Sequence, residues 1–132
     1  MLKKIILFIA LQGLLLADFQ SVDTQTAEKL MQQGVPVIDI RTPAEWKEGV
    51  IPHSHKIMFF DERGNYNIPK FMKAFTKVVK DKNQPFILVC RTASRTKMVG
   101  NFLSKDMGYT QTKDLKGGMM WGWNNLHKPI EK

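Results

Sequence analysis

The feature that most constrains this chain is an apolar run, Phe86-Ile87-Leu88-Val89, that ends at the only cysteine, Cys90. A run that is apolar at every position suits a strand covered on both faces, not one with a face in water. Small and polar residues follow, Arg91-Thr92-Ala93-Ser94-Arg95-Thr96, and then Lys97-Met98-Val99-Gly100-Asn101-Phe102-Leu103 at helical spacing. A strand that hands over to a helix through so tight a loop sets the sulfur at the mouth of a ring of backbone N–H groups. The helix N-terminus adds partial positive charge, and Arg91 and Arg95 add whole charges, so the thiolate is favoured over the thiol. Buried filler is the alternative role for a lone cysteine.

The remaining segments supply the sheet and its cover. Phe19-Gln20-Ser21-Val22 predicts a short edge strand, and Asp23-Thr24 caps a helix through Gln33 that Gly34 stops, with Ala27, Leu30 and Met31 as its apolar stripe. Pro36 to Ile40 reads as a covered strand. A short helix from Thr42 to Glu48 has Thr42 as cap and Pro43 in its first position, and Gly49 ends it. A third strand is expected over Lys56 to Phe60, then a turn over Asp61 to Asn65. From Pro69 to Lys80, Phe71, Phe75, Val78 and Val79 share one helical face, while Lys70, Lys73, Lys77 and Lys80 face water. The helix after the cysteine carries Val99, Phe102, Leu103 and Met107 at core spacing and stops at Gly108. A last strand covers Thr112 to Leu115, and Gly117-Gly118 turns into a helical segment from Met119 to Leu126. Strands alternating with helices imply an α/β fold, a small parallel sheet of about four to five strands with helices on both faces.

At 132 residues there is room for one modest domain, and a single cysteine excludes an intramolecular disulfide. The N-terminus differs in kind. Lys3-Lys4, an apolar stretch from Ile5 to Leu16 and the small Ala17 match a secretory signal over residues 1–17, leaving a domain over 18–132; an uncleaved membrane anchor is the alternative. Export, into a bacterial periplasm, is the expected location, and membrane contact follows only if the segment stays attached. Loss of Lys3 and Lys4 takes the formal net charge from +8 to +6. Such a surface attracts small anions. The lysines are scattered, aromatic residues are not interleaved with them and no nucleic-acid motif is present, so a nucleic-acid partner is not expected.

Taken together, the residues resemble the rhodanese (sulfurtransferase) family. The marks are Asp39-Ile40-Arg41 with Glu45, the Gly49-Val50-Ile51-Pro52 turn, Cys90-Arg91 with Arg95-Thr96, Gly108-Tyr109, and Gly117-Gly118 with Trp121. The resemblance implies a rhodanese-like sheet sandwiched by helices, with a catalytic cysteine after a central strand that carries sulfane sulfur as a persulfide. Cys90 would attack the outer sulfur of a small anionic donor such as thiosulfate, and a thiol, a protein acceptor or cyanide would then remove it. No metal or organic cofactor is implied. Arg91, Thr92, Ala93, Ser94 and Arg95 would line the sulfur site, Arg91 steering donors and Arg95 anchoring the loop, for instance by an ion pair to Asp39. Thr92, Ser94 and Thr96 offer hydroxyls to the bound sulfur, or Ser94 or Thr96 caps the helix. Asp39, Arg41 and Glu45 would be structural support, with an Arg41–Glu45 pair fixing the approach. Trp46, Trp121 and Trp123 would wall the pocket or pack in the core.

Two departures stand out. The family turn usually reads Gly-His-Ile-Pro-Gly-Ala, whereas Val50, His53 and Ser54 replace its His, second Gly and Ala. Ala93 stands where the active loop usually has glycine, which stores strain if that backbone takes positive φ. Three other readings remain. Phosphatases and arsenate reductases also use a cysteine loop at a helix start, but the phosphatase signature has five residues between Cys and Arg, and here Arg91 to Ser94 make four. A non-enzymatic sulfur carrier is the second. The third is a metal site at His53 and His55, which lack a nearby third ligand.

Overall fold

The computed structural model describes residues 18–132, so the expected signal segment lies outside the described residues. Five strands form one parallel sheet: β1 (Asp18–Val22), β2 (Val37–Asp39), β3 (His55–Lys56), β4 (Phe86–Val89) and β5 (Gln111–Leu115), in the order β1-β5-β4-β2-β3. The helices are α1 (Thr24–Gln32), α2 (Pro43–Trp46), α3 (Ile68–Val78), α4 (Ser94–Asn101) and α5 (Gly118–Gly122). Among the described residues, no helix is long and apolar enough to cross a membrane.

The two-residue period of a strand divides the core in two. Phe86, Leu88 and Cys90 point with Ile38 and Ile40 to one face, where they meet Phe71 and Phe75 of α3 and Val99 of α4. Ile87 and Val89 point with Val37 and Leu115 to the other, against Ala27 of α1 and Met119 of α5. All four residues of β4 are buried, as a central strand covered on both faces requires.

Local signals set most boundaries. The Asp23 carboxylate accepts from Thr26 N–H at 2.8 Å to start α1, and Asn67 does the same for Lys70 N–H at 3.0 Å to start α3. Thr42 and Glu45 form a reciprocal capping box at the start of α2, with Pro43 in its first turn.

The helical segment expected from Met119 to Leu126 is split into α5 and a 3-10 turn, Asn124–Leu126, and two other elements differ from the sequence expectation. The third strand is two residues long, not five. Ile57 N–H and Phe59 N–H still donate to Asp39 O and Ile40 O, but Phe60 then bridges to Tyr66, and this closes the turn between them and draws the chain off the sheet. Phe59 joins an aromatic cluster, 4.8 Å centroid to centroid from Phe71 and 5.6 Å from Tyr66. The helix after the cysteine also changes hand-hold: α4 ends at Asn101 and continues as a π-helical turn, Phe102–Asp106, before Gly108.

Candidate active site

Cys90 is the first residue beyond β4, at the carboxyl end of the central strand, where open α/β sheets bind ligands. The chain turns there because α5 grips it from outside. Met119 N–H donates to Cys90 O at 2.9 Å and Met120 N–H to Arg91 O at 3.0 Å. In a trans peptide the N–H points opposite to its C=O, so the N–H groups of Arg91 and Thr92 are turned away from α5. Gly118 allows this approach: at φ +63°, a Cβ on it would lie 2.5 Å from Arg91 O and 2.6 Å from Cys90 O.

Ala93 takes the left-handed conformation, φ 71° and ψ 11°, and is the N-cap residue of α4, so the strain expected for alanine in place of glycine is realised. No side chain caps this helix. Neither Ser94 nor Thr96 plays the capping role open to it on sequence. Among the described residues, no amide from Arg91 to Thr96 donates to a protein acceptor, which leaves a ring of donors at a helix start.

The sulfur itself corrects an expectation. Cys90 is not at an open mouth but is 0 % exposed, because it continues the inward alternation of Phe86 and Leu88. Its Sγ meets Thr96 Oγ1 at 3.7 Å. Arg91, Thr92 and Ser94 are exposed around it, Ala93 is buried and Arg95 is half-buried.

Both expected ion pairs are exchanged for others. Arg95 binds Glu45, not Asp39, through two parallel bonds of 2.8 Å. Arg41 binds Asp39, not Glu45: its Nε lies 3.0 Å from Oδ1 and its Nη2 2.9 Å from Oδ2, with Nη2 also donating to Gly49 O at 2.8 Å. Asp39 and Arg41 are only two residues apart at a strand end, and the backbone N–H of Arg41 also donates to Asp39 Oδ1, so the nearer acid wins. The Arg95 guanidinium and the Thr42 N–H hold the Glu45 carboxyl down at about 2, against the cost of burial. Glu45 in turn raises the titration of Arg95, chiefly by hydrogen bonding, and Cys90 and Asp39 lie close enough to add to it.

The structure brings in one acid that sequence reasoning missed. Asp114 on β5 lies opposite Leu88 of β4, so it faces the same side of the sheet as Cys90. It is 0 % exposed and accepts from Thr96 Oγ1 at 2.7 Å, Ser21 Oγ at 2.6 Å and Lys97 Nζ at 2.8 Å. A polar residue at an inward position of a buried strand was the available signal.

Other expected features fall elsewhere. Trp123 is buried and donates to Pro129 O at 2.8 Å, while Trp121 is exposed. Trp46 lines a groove of about 430 Å³ with Phe59, Tyr66, Phe71, Lys56 and Lys70, and none of residues 90–95 lines it. Val50 and Ile51 of the altered turn pack inward, and His53 and His55 are exposed.

This strand, cysteine loop and helix define a known class of fold. The Rhodanese-like domain family matches residues 23–125, and the chain belongs to it. It is 31% identical over 93 residues to the putative sulfurtransferase YtwF of Bacillus subtilis, covering 70% of this chain and 77% of that protein. It is 25% identical over 92 residues to the adenylyltransferase and sulfurtransferase MOCS3 of Drosophila persimilis, and spans only 20% of that protein's length. Among solved structures, the polysulfide-sulfur transferase homodimer of Wolinella succinogenes superposes with a TM-score of 0.64 at 25% identity, covering 94% of this chain and 86% of that one.

Proposed function

We propose that the protein is a sulfurtransferase that carries sulfane sulfur as a persulfide on Cys90. The observation that carries this reading is the ring of unengaged amides from Arg91 to Thr96 around the end of β4, supported by sulfurtransferase-named relatives. In the first step the Cys90 thiolate attacks the outer sulfur of thiosulfate. A new S–S bond forms, the bond to the sulfonate sulfur breaks, and sulfite leaves with the electron pair. In the second step cyanide or a thiolate attacks the outer sulfur, and Cys90 departs as thiolate. Thiolate and persulfide are both anions, so the amide ring and the helix start favour each of them.

Arg91, exposed beside the loop, steers the anionic donor; Arg95 is tied to Glu45 and holds the loop in shape. Polysulfide is a second donor of the same chemistry, in line with the name of the Wolinella protein. Export follows from the N-terminal pattern, Lys3-Lys4 through Ala17, and N-terminal sequencing of protein from the producing cell tests it by a start at Asp18.

Thiosulfate:cyanide turnover by the protein and by Cys90→Ser tests the activity. Turnover in the first and none in the second is expected, and a Ser variant that still turns over refutes the role of Cys90. The full burial of Cys90 favours one further reading, a carrier that is opened and loaded by a protein partner. Negligible turnover with thiosulfate, but exchange of sulfur with a protein persulfide, is the result that selects it.

A further inference from the structure

We propose that the open edge of the sheet beside the aromatic groove is a docking site for an extended segment of a protein partner, one that alternates apolar and acidic residues. β3 is the last strand in the sheet order, so one of its two edges has no neighbour. His55 and Lys56 pair with Ile38 and Asp39, and beyond them Ile57 N–H and Phe59 N–H still donate inward, to Asp39 O and Ile40 O. Backbone groups alternate in direction along an extended chain, so the N–H and C=O of Lys56 and Met58 point the other way, along the open edge. Among the described residues, the backbone of Met58 makes no hydrogen bond. Unengaged amides and carbonyls in such a row are a template for one more strand.

The edge runs into the groove of about 430 Å³, whose wall includes Lys56, Met58, Phe59, Tyr66, Trp46 and Lys70. A concavity of that size with aromatic walls suits apolar side chains. By the two-residue period, Ile57 and Phe59 take one face of this stretch and join the core, while Lys56 takes the other and is exposed. An added strand sets its side chains beside those of the same face, so apolar residues at one parity meet Phe59 and Tyr66 and acids at the other meet Lys56. Among the described residues neither Lys56 nor Lys70 has an ion pair, whereas Asp61, the acid of the wall, already accepts from the backbone N–H groups of Arg63 and Asn65. The wall also holds an orphan donor, Trp46 Nε1, buried without an acceptor. A lysine on a short edge repels a second copy of this chain, whose formal net charge is +8, and attracts an acidic segment. The groove is also tied to the cysteine loop: Pro43 and Trp46 of α2 line it, and Glu45 between them holds Arg95 at 2.8 Å. On the sulfurtransferase reading, on which this inference rests for the partner's role alone, the partner is a protein that gives sulfur to Cys90 or takes it away.

The test is the fluorescence anisotropy of a labelled, end-capped heptapeptide, Thr-Glu-Phe-Glu-Val-Glu-Thr, titrated with the protein. Binding with a Kd below about 1 mM is expected, and none by the peptide that carries lysine in place of each glutamate. Strand pairing along one edge uses the N–H groups of alternate residues only. Of two heptapeptides N-methylated at alternate residues, one at each parity, one should therefore lose binding and the other keep it. Lys56→Glu should weaken binding about tenfold or more, and Met58→Pro, which removes an outward N–H and no bond to β2, should abolish it. Both variants should keep thiosulfate:cyanide turnover. No binding by the parent, binding unchanged in Lys56→Glu, or loss of binding in both or neither of the N-methylated peptides overturns the proposal. A dimer that Met58→Pro turns into monomers overturns it too, with a second copy as the occupant. The N-methylated peptides need no variant, so they decide even if Met58→Pro does not fold. Peptide binding without sulfur transfer overturns the sulfurtransferase reading and leaves the docking site, whereas transfer without peptide binding does the reverse.

Discussion

Glu45 and Arg95 lie 50 positions apart in the chain and meet as a two-pronged ion pair with 2.8 Å at each prong. The pair ties the short helix after β2 to the helix that starts at the cysteine loop, and Glu45 serves in the same place as half of the capping box of α2. One carboxylate thus fixes both the local helix start and the long-range position of the loop.

That dual role sets a pH dependence. The carboxyl titrates at about 2 in the folded chain against 4.5 ordinarily. A depressed acid contributes stability that is fully present above its unfolded value and is lost as pH falls through the folded one, here between about 4.5 and about 2. Glu45→Gln should cost about 1 kcal/mol at neutral pH, the half-exposed setting reducing what a buried pair would give. Urea denaturation at several pH values checks this: the gap between the two proteins closes as the solution is acidified.

Ala93 offers a test of stored strain. Its left-handed backbone costs about 1–2 kcal/mol relative to a residue without a Cβ. Glycine returns part of that through the greater freedom of the unfolded chain. Ala93→Gly should therefore stabilise the protein by about 0.5–1 kcal/mol, measured as an upward shift of the urea midpoint.

Gly118 should behave in the opposite way. A methyl group there would press on the carbonyl oxygens of Arg91 and Cys90, and the backbone at φ +63° resists a side chain as well. Gly118→Ala should cost more than about 3 kcal/mol and, in any molecules that fold, displace the cysteine loop. Thermal unfolding together with sulfur-transfer assays reads both effects.

The Asp39–Arg41 pair is 0 % and 4 % exposed and so is beyond the reach of a donor. Asp39→Ala would leave a buried guanidinium without its acid, a loss of about 3–5 kcal/mol. Because the pair supports and does not react, stability should fall while turnover per folded molecule stays near that of the parent.

The legible part of this molecule is the part written in contiguous residues. Phe86 to Val89 read as a covered strand, and Asp23, Thr42 and Pro43 marked helix starts where helices do start. Ile57 and Phe59 keep the two-residue period of a strand and still bond the end of β2, yet the regular strand stops at Lys56, and the Phe59 ring packs on Phe71 and Tyr66 in an aromatic cluster. The ion pairs were not legible, because partner choice among Asp39, Arg41, Glu45 and Arg95 depends on where the strand ends meet in space. Asp114 was hidden for the same reason: it touches Ser21 and Thr96, which the sheet register and α4 bring to it. Burial by itself would mark Cys90 as filler. The unengaged amides beside it and the family match are what support the role proposed for it.

The most direct test of the central claim is the intact mass of the protein after thiosulfate treatment and removal of excess reagent. The account predicts a gain of one sulfur atom, located to the peptide bearing Cys90, lost on addition of cyanide and absent in Cys90→Ser. No added sulfur in the parent after treatment with thiosulfate, polysulfide or a protein persulfide, or sulfur retained by the Ser variant, would contradict it.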